Sequence, residues 1–371
     1  MNHKERVLGA LNRTGFDRIP VKHHGTPEVD AMLMAHFGVN DHGGAAAPWA
    51  LAEVIGDDFR AVGPSWSGPE LRTFPDGSWE GWWGERYANI SFGHGTYPEA
   101  VYLPFADVED VAQLADFRMP TADDFDYSTV KAQCERWRDY AVVCGGAGTL
   151  DFMNGIARCR GVEKVLFNIA ERNPVFLALM DQRFSFFYEI TERTLQAAEG
   201  LIDIVHVGED FGCQRGLLIS PRTFEAMFAP KFEAMFALAH RYGARTMMHC
   251  CGSVRQLIPR FIEMGLDVLD VVQVSAAGMD IRELHAEYGR DLAFAGSMCV
   301  QSTLPFGTVD DVRREVELRL DLFKDGGLIL GPTHQIQAGT PLENILEMYR
   351  VTQDPKGFGN PLGLSARKEN G

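Results

Sequence analysis

From residue 140 onward, short apolar runs alternate with stretches whose apolar residues recur at helical spacing. YAVVCGG (140–146) precedes helical patterns that reach about residue 199. IDIVHVG (202–208) precedes a helix from 221, ARTMMHC (244–250) one from 253, and DVLDVV (267–272) one from 280. LAFAGS (292–297) and GLILGP (327–332) lead into helices from 308 and 341. Such alternation predicts parallel strands joined by crossover helices. Six such units, with one or two more near the start, predict an α/β fold of the (β/α)8 TIM-barrel type.

The first 120 residues are less regular. MNHKERVLGALNRTG reads as a short amphipathic helix, and RIPVKH (18–23) as a strand that leads through a turn into a helix near 27–37. Residues 58–105 carry Trp66, Trp79, Trp82 and Trp83 among glycines, prolines and alternating apolar positions. That pattern predicts hairpins around an aromatic mini-core, an excursion over the barrel within one domain spanning 1–371. Ser220-Pro221 and Thr340-Pro341 each place a hydroxyl before a proline, which predicts capped helix starts. FEAMFA occurs at 224–229 and again at 232–237. An offset of eight residues does not match whole turns of an α-helix, so the two copies are expected on two faces of one helix.

Charge and cysteine usage narrow the class. The formal net charge is −16 and no Lys/Arg cluster stands out, which argues against a nucleic-acid or anionic-membrane partner. No signal-like stretch and no run of about 18 apolar residues appears, so a soluble cytoplasmic protein is expected. Seven scattered cysteines fit reduced thiols, with any special one serving a metal or a reaction.

In a barrel of this type the active site lies at the C-terminal ends of the strands, so the polar residues just past each apolar run matter. They are His23 and His24; Glu209 and Asp210; His249, Cys250 and Cys251; Gln273 and Ser275; Ser297 and Cys299; Thr333, His334 and Gln335. If the strand stays extended through Cys251, alternation puts His249 and Cys251 on one face and Cys250 on the other. An imidazole and a thiolate together suit a borderline-soft ion such as Zn²⁺. His334 is the expected third ligand, with Cys299, Glu209 and Asp210 as rivals. Asp210 and Glu209 are candidate acid–base groups, and His23, His24, Gln273, Ser297 and Gln335 are candidate substrate contacts.

The chain resembles the uroporphyrinogen decarboxylase superfamily, and within it the zinc-dependent corrinoid methyltransferases. The resemblance is strongest in GCQRGLLISPRTFEAMFAPKFEAMFALAHRYGARTMMHCCGSVRQLIPRFIEMGLDVLDVVQ (212–273) and in GLILGPTHQIQAGTPLENI (327–345). In those methyltransferases a His-x-Cys after a barrel strand binds zinc, a place filled here by His249 and Cys251. Their third ligand is a cysteine seven residues before the proline of a Thr-Pro helix start. That place, counted from Pro341, holds His334, as in the decarboxylases of the family. The resulting His-Cys-His set is less anionic than His-Cys-Cys, which implies a stronger Lewis acid. Porphyrinogen decarboxylases also carry an N-terminal Arg-Gln-Ala-Gly-Arg segment, and here VKHHGTPEVD comes after the first strand instead.

The resemblance implies a methyltransferase, or demethylase, with one catalytic Zn²⁺. It would move a methyl group between a small molecule of methoxy, thiol, amine or folate type and a corrinoid (cobalamin). A separate protein is expected to carry the corrinoid, because the chain has no D-x-H-x-x-G motif. A homodimer is compatible with this reading. Two other readings stand beside it. One is a metal-free decarboxylase of a porphyrinogen-like or other carboxylated substrate, with Asp210 stabilising a cationic intermediate and His249 and His334 binding carboxylates. The other is a non-catalytic barrel that binds or delivers a corrinoid or zinc.

Overall fold

The computed structural model describes residues 1–39 and 47–354. Seven strands form one sheet in chain order: β1 (Phe59–Val62), β2 (Ala141–Leu150), β3 (Ile204–Gly208), β4 (Arg245–His249), β5 (Val268–Asp270), β6 (Ala293–Met298) and β7 (Leu328–Pro332). The pairs β2–β3, β3–β4 and β6–β7 are parallel. Every residue of β3, β5, β6 and β7 is buried, as in parallel strands covered on both faces. Helices separate successive strands, and the architecture is α/β of TIM type. The apolar runs from 140 onward are these strands, within two or three residues at most ends.

Contacts among the described residues gather into two compact units, one made of 1–39, 47–59, 139–141 and 270–354, the other of 60–138 and 142–269. In the first, the predicted strand at 18–23 is reduced to parallel bridges, Val21 with Leu330 and Gly25 with Ile336. The Leu330 carbonyl accepts from the Lys22 amide at 3.0 Å, and on the other side the Val21 carbonyl accepts from the Asp58 amide at 2.9 Å. The segment thus takes the place of an eighth stave beside β7. Asp58 pins it there. Its fully buried carboxylate accepts from the Val21 amide (2.7 Å), Arg6 (2.7 Å) and Arg18 (2.8 Å), and meets His3 Nδ1 at 2.7 Å. Burial alone would push this carboxyl up, but His3, Arg18 and the Val21 amide outweigh it and hold it below the ordinary range.

In the second unit the predicted excursion begins later than expected, because residues 59–62 are β1 of the main sheet. The hairpins come next, as a three-stranded antiparallel sheet of Trp79–Glu80, Arg86–Ser91 and Thr96–Tyr102. Trp66 stacks on Trp82 with ring centroids 5.9 Å apart, and Phe125 meets both edge-on.

Two local expectations are corrected. The FEAMFA copies share one face, since Phe224, Met227 and Phe228 are buried, and so are Phe232, Met235 and Phe236. Eight α-helical residues rotate about 800°, roughly 80° past two turns. The first copy, however, is a π turn (Phe224–Phe228), which holds more residues per turn and absorbs the excess. The last helix starts at Leu342, with Pro341 at its cap position and no side-chain cap. The Thr340 hydroxyl instead donates to the Gln337 carbonyl at 2.8 Å. Ser220 behaves as expected and accepts from the Thr223 amide at 3.0 Å.

Candidate metal centre

Three neighbouring strand ends build the centre in the second unit. Gly208 ends β3 and pairs in register with His249 at the end of β4 and with Leu150 at the end of β2. A Cβ on Gly208 would stand 2.0 Å from the Ala147 carbonyl oxygen, so only glycine lets these backbones close. The strand β4 then turns at Gly252, whose φ of +83° and contact with Gly212 exclude a side chain. This explains the glycine that ends MMHCCG.

His249 and Cys251 face each other, with Nε2 3.2 Å from Sγ. An ion held tetrahedrally by one imidazole and one thiolate sets its two donors about 3.6 Å apart, so the pair is near the spacing a shared ion needs. Cys250 lies on the other side, fully buried, with Sγ 3.5 Å from the Phe211 amide. Burial pushes the thiols of both cysteines up; for Cys251 the adjacent His249 pulls it back in part.

Asp210 and Glu209, adjacent in sequence, do different work. Asp210 Oδ1 accepts from the Cys251 amide at 2.9 Å and lies 3.9 Å from His249 Nε2. Its Oδ2 accepts from Asn154 Nδ2 at 3.1 Å. The Glu209 carboxylate turns inside at 1% exposure and accepts from the amides of Phe152 (2.8 Å) and Met153 (3.1 Å). Those amides open the helix Phe152–Arg160, so Glu209 caps the helix that carries Asn154. Burial, then the neighbouring Asp151 carboxylate, push its carboxyl well above the ordinary range. Phe211 anchors the next position, its buried ring 4.9 Å from Phe224 and 5.3 Å from Phe228.

Sequence reasoning missed Asp151 and Asn154. The apolar run ends near 146, but β2 continues past an irregularity between Gly145 and Leu150. Leu150 (φ +70°) and Asp151 (φ +31°) both sit in the left-handed region, where non-glycine residues are strained. The Asp151 carboxylate is 4% exposed and pairs with Arg158 at 3.1 Å. Burial pushes its carboxyl up, while Arg183 and Arg158 oppose that shift and the charge of Asp210 adds to it. The available signal was the acidic residue directly after the glycine-rich run GGAGTL.

The other candidates lie in the first unit. The His334 ring is 6.0 Å from that of His24, and Gln335 Nε2 is 3.4 Å from the Gly25 carbonyl. His23 is held between the Tyr349 hydroxyl and Asp30, which fixes its ring as part of the packing. Gln273 donates to Gln301 at 3.2 Å. Ser297 is fully buried, its carbonyl accepting from Arg319 at 2.9 Å. Cys299 is buried and accepts from the Ser302 hydroxyl at 3.0 Å. Among the described residues no helix is long and apolar enough to cross a membrane.

Residues 88–354 match the family described as Uroporphyrinogen decarboxylase (URO-D). No curated protein matches the sequence. Among solved structures, a methyltransferase from Methanosarcina mazei is similar at 17% identity and a TM-score of 0.61, over 95% of this chain and 99% of that one. A B12-independent methionine synthase from Shewanella sp. W3-18-1 is similar at 10% identity and a TM-score of 0.39, over 82% and 85%.

Proposed function

Because the chain belongs to the uroporphyrinogen decarboxylase (URO-D) family, we propose that it is a zinc-dependent methyltransferase. It moves a methyl group between a small molecule and a corrinoid carried by a separate protein. The observation that carries this reading is the His249–Cys251 pair, one nitrogen and one sulfur donor 3.2 Å apart beside Asp210. His334 is the third donor in this proposal. A mixed imidazole–thiolate set is the chemistry of zinc, and three protein donors leave one position for substrate, as catalytic sites do.

The remaining residues position and tune. Asp210 fixes the Cys251 backbone through its amide and is itself oriented by Asn154. A carboxylate so placed can accept or return a proton at the atom that gains or loses the methyl group. Glu209 holds the start of the helix that carries Asn154. When bound, zinc supplies Lewis acidity to the oxygen or sulfur that carries the methyl group. The chain works as one domain in this reading, with the hairpins up to residue 105 as an excursion. The small molecule is of methoxy, thiol, amine or folate type.

Elemental analysis combined with a methyl-donor screen, using cob(I)alamin as acceptor, tests the proposal. About one zinc per chain and zinc-dependent methylation of cob(I)alamin support it. Decarboxylation of a porphyrinogen by metal-free protein, with no methyl transfer from any methoxy, amine or thioether donor, favours the decarboxylase instead.

A further inference from the structure

A second cavity in the unit 60–138 and 142–269 is lined by none of the metal-centre residues. It holds about 380 Å³, within the range of small-molecule pockets. Its walls are the end of β1, the glycine-rich stretch of β2 and the helix Pro174–Ala198. Glycines make the space: where a side chain would stand on Gly63, Gly146 or Gly148, no atom lies within 4 Å. Aromatic rings face it, from Trp82, Phe125 and Phe187. Trp82 is held by its stack on Trp66 and the Phe125 edge, yet it remains 37% exposed. Joined to the apolar cavity wall, this exposed ring extends a contiguous apolar groove of the kind that binds ligands.

The lining also specifies the ligand. Among the described residues none of its members is Asp, Glu, Lys, Arg or His, in a chain of net charge −16. A charged ligand would lose hydration there without gaining a partner. Three fixed rings favour a planar molecule. Its polar side chains are the hydroxyls of Thr149, Thr191 and Thr194 and the thiol of Cys144. Thr194 already donates to the Ile190 carbonyl at 2.7 Å, so its oxygen is left to accept from a ligand hydroxyl or amine. A cavity on the order of 150 Å³ takes benzene, so this one has room for about two rings.

We propose that this cavity is a binding site for an uncharged, planar aromatic molecule of about two rings bearing a hydrogen-bond donor. The site is independent of the metal centre, so zinc-free protein binds equally well. Calorimetric titration of the full chain with 2-naphthol tests it, against 2-naphthoate (same rings, charged) and decahydro-2-naphthol (same skeleton, not planar). One saturable site for 2-naphthol is expected, with both comparators at least tenfold weaker. Gly146→Leu and Gly148→Leu fill open space and should weaken 2-naphthol binding at least tenfold without lowering the melting temperature. If a leucine variant does not fold, Trp82→Ala supplies the same reading by removing a wall. Absence of saturable binding to the wild-type chain overturns the proposal. So does 2-naphthoate binding as tightly as 2-naphthol, or folded variants that bind like wild type.

Discussion

Glu209→Ala separates a structural from a chemical role for the acidic pair. The substitution strips the acceptor from two amides, those of Phe152 and Met153, at the buried start of the helix Phe152–Arg160. Each buried donor left unmet costs about 1–3 kcal/mol, so two cost about 2–6 kcal/mol. Glu209→Gln keeps one oxygen as acceptor, and because a single glutamate oxygen, Oε2, accepts from both amides, it should recover most of that loss. Urea unfolding followed by circular dichroism measures both variants. Folded Glu209→Ala protein should retain zinc, because the carboxylate touches backbone amides rather than the His249–Cys251 donors. Methyl transfer should fall only as far as Asn154, on the loosened first turn, lets Asp210 drift. Stability within about 0.5 kcal/mol of wild type would refute the capping argument, since surface changes alone stay within that range. Unchanged stability with lost turnover that glutamine does not restore would return Glu209 to the reacting groups.

Cys251→Ser should lower zinc from about one equivalent toward none by elemental analysis, and full occupancy would remove Cys251 from the ligand set. Asp210→Asn should depress methyl transfer about 10²–10⁴-fold, the usual worth of acid–base assistance, with a smaller effect on zinc content, whereas His249→Ala should depress both. Asp58→Asn should cost about 3–5 kcal/mol at neutral pH, as loss of a buried paired charge does. Since the folded Asp58 carboxyl sits below its ordinary range, its stabilisation is present above about pH 4 and is lost as pH falls through the folded value. Urea unfolding from acid to neutral pH should therefore show a flatter acid limb for Asp58→Asn. Limited proteolysis should release no stable folded fragment beginning near residue 120, if the chain is one domain.

The strands were legible because buried parallel strands are continuous apolar runs, and 202–208, 244–249 and 327–332 are of that kind. Where the pattern failed, a backbone irregularity intervened. The glycine-rich 145–148 hid the last residues of β2 and with them Asp151. The π turn at Phe224–Phe228 reversed the expected faces of a repeat. The hydrophobic period measures turns per residue and cannot register a turn that holds an extra one. Of the candidate substrate contacts, Ser297 and His23 stand just past apolar runs as the others do, yet their side chains are taken up by packing. The residues at a strand's C-terminal end include some that face the opening and some that turn into the layer behind it.

That distinction explains the acidic pair as well. Alternation applied to 249–251 separates His249 and Cys251 from Cys250. Sequence adjacency alone instead groups Glu209 with Asp210. The register of β3 on β4 pairs Gly208 with His249, and neighbouring parallel strands in register share faces. Counting two residues on from each member of that pair places Asp210 with Cys251 on one face. Counting one residue on places Glu209 with Cys250 on the other. The contacts obey this division: Asp210 meets the Cys251 amide, while Glu209 and Cys250 are both buried. Register depends on which residues two strands pair across some forty positions of intervening chain, and a single sequence does not record it. Once that one pairing is known, the same period-two rule that selects the proposed metal donors also selects which carboxylate stands beside them.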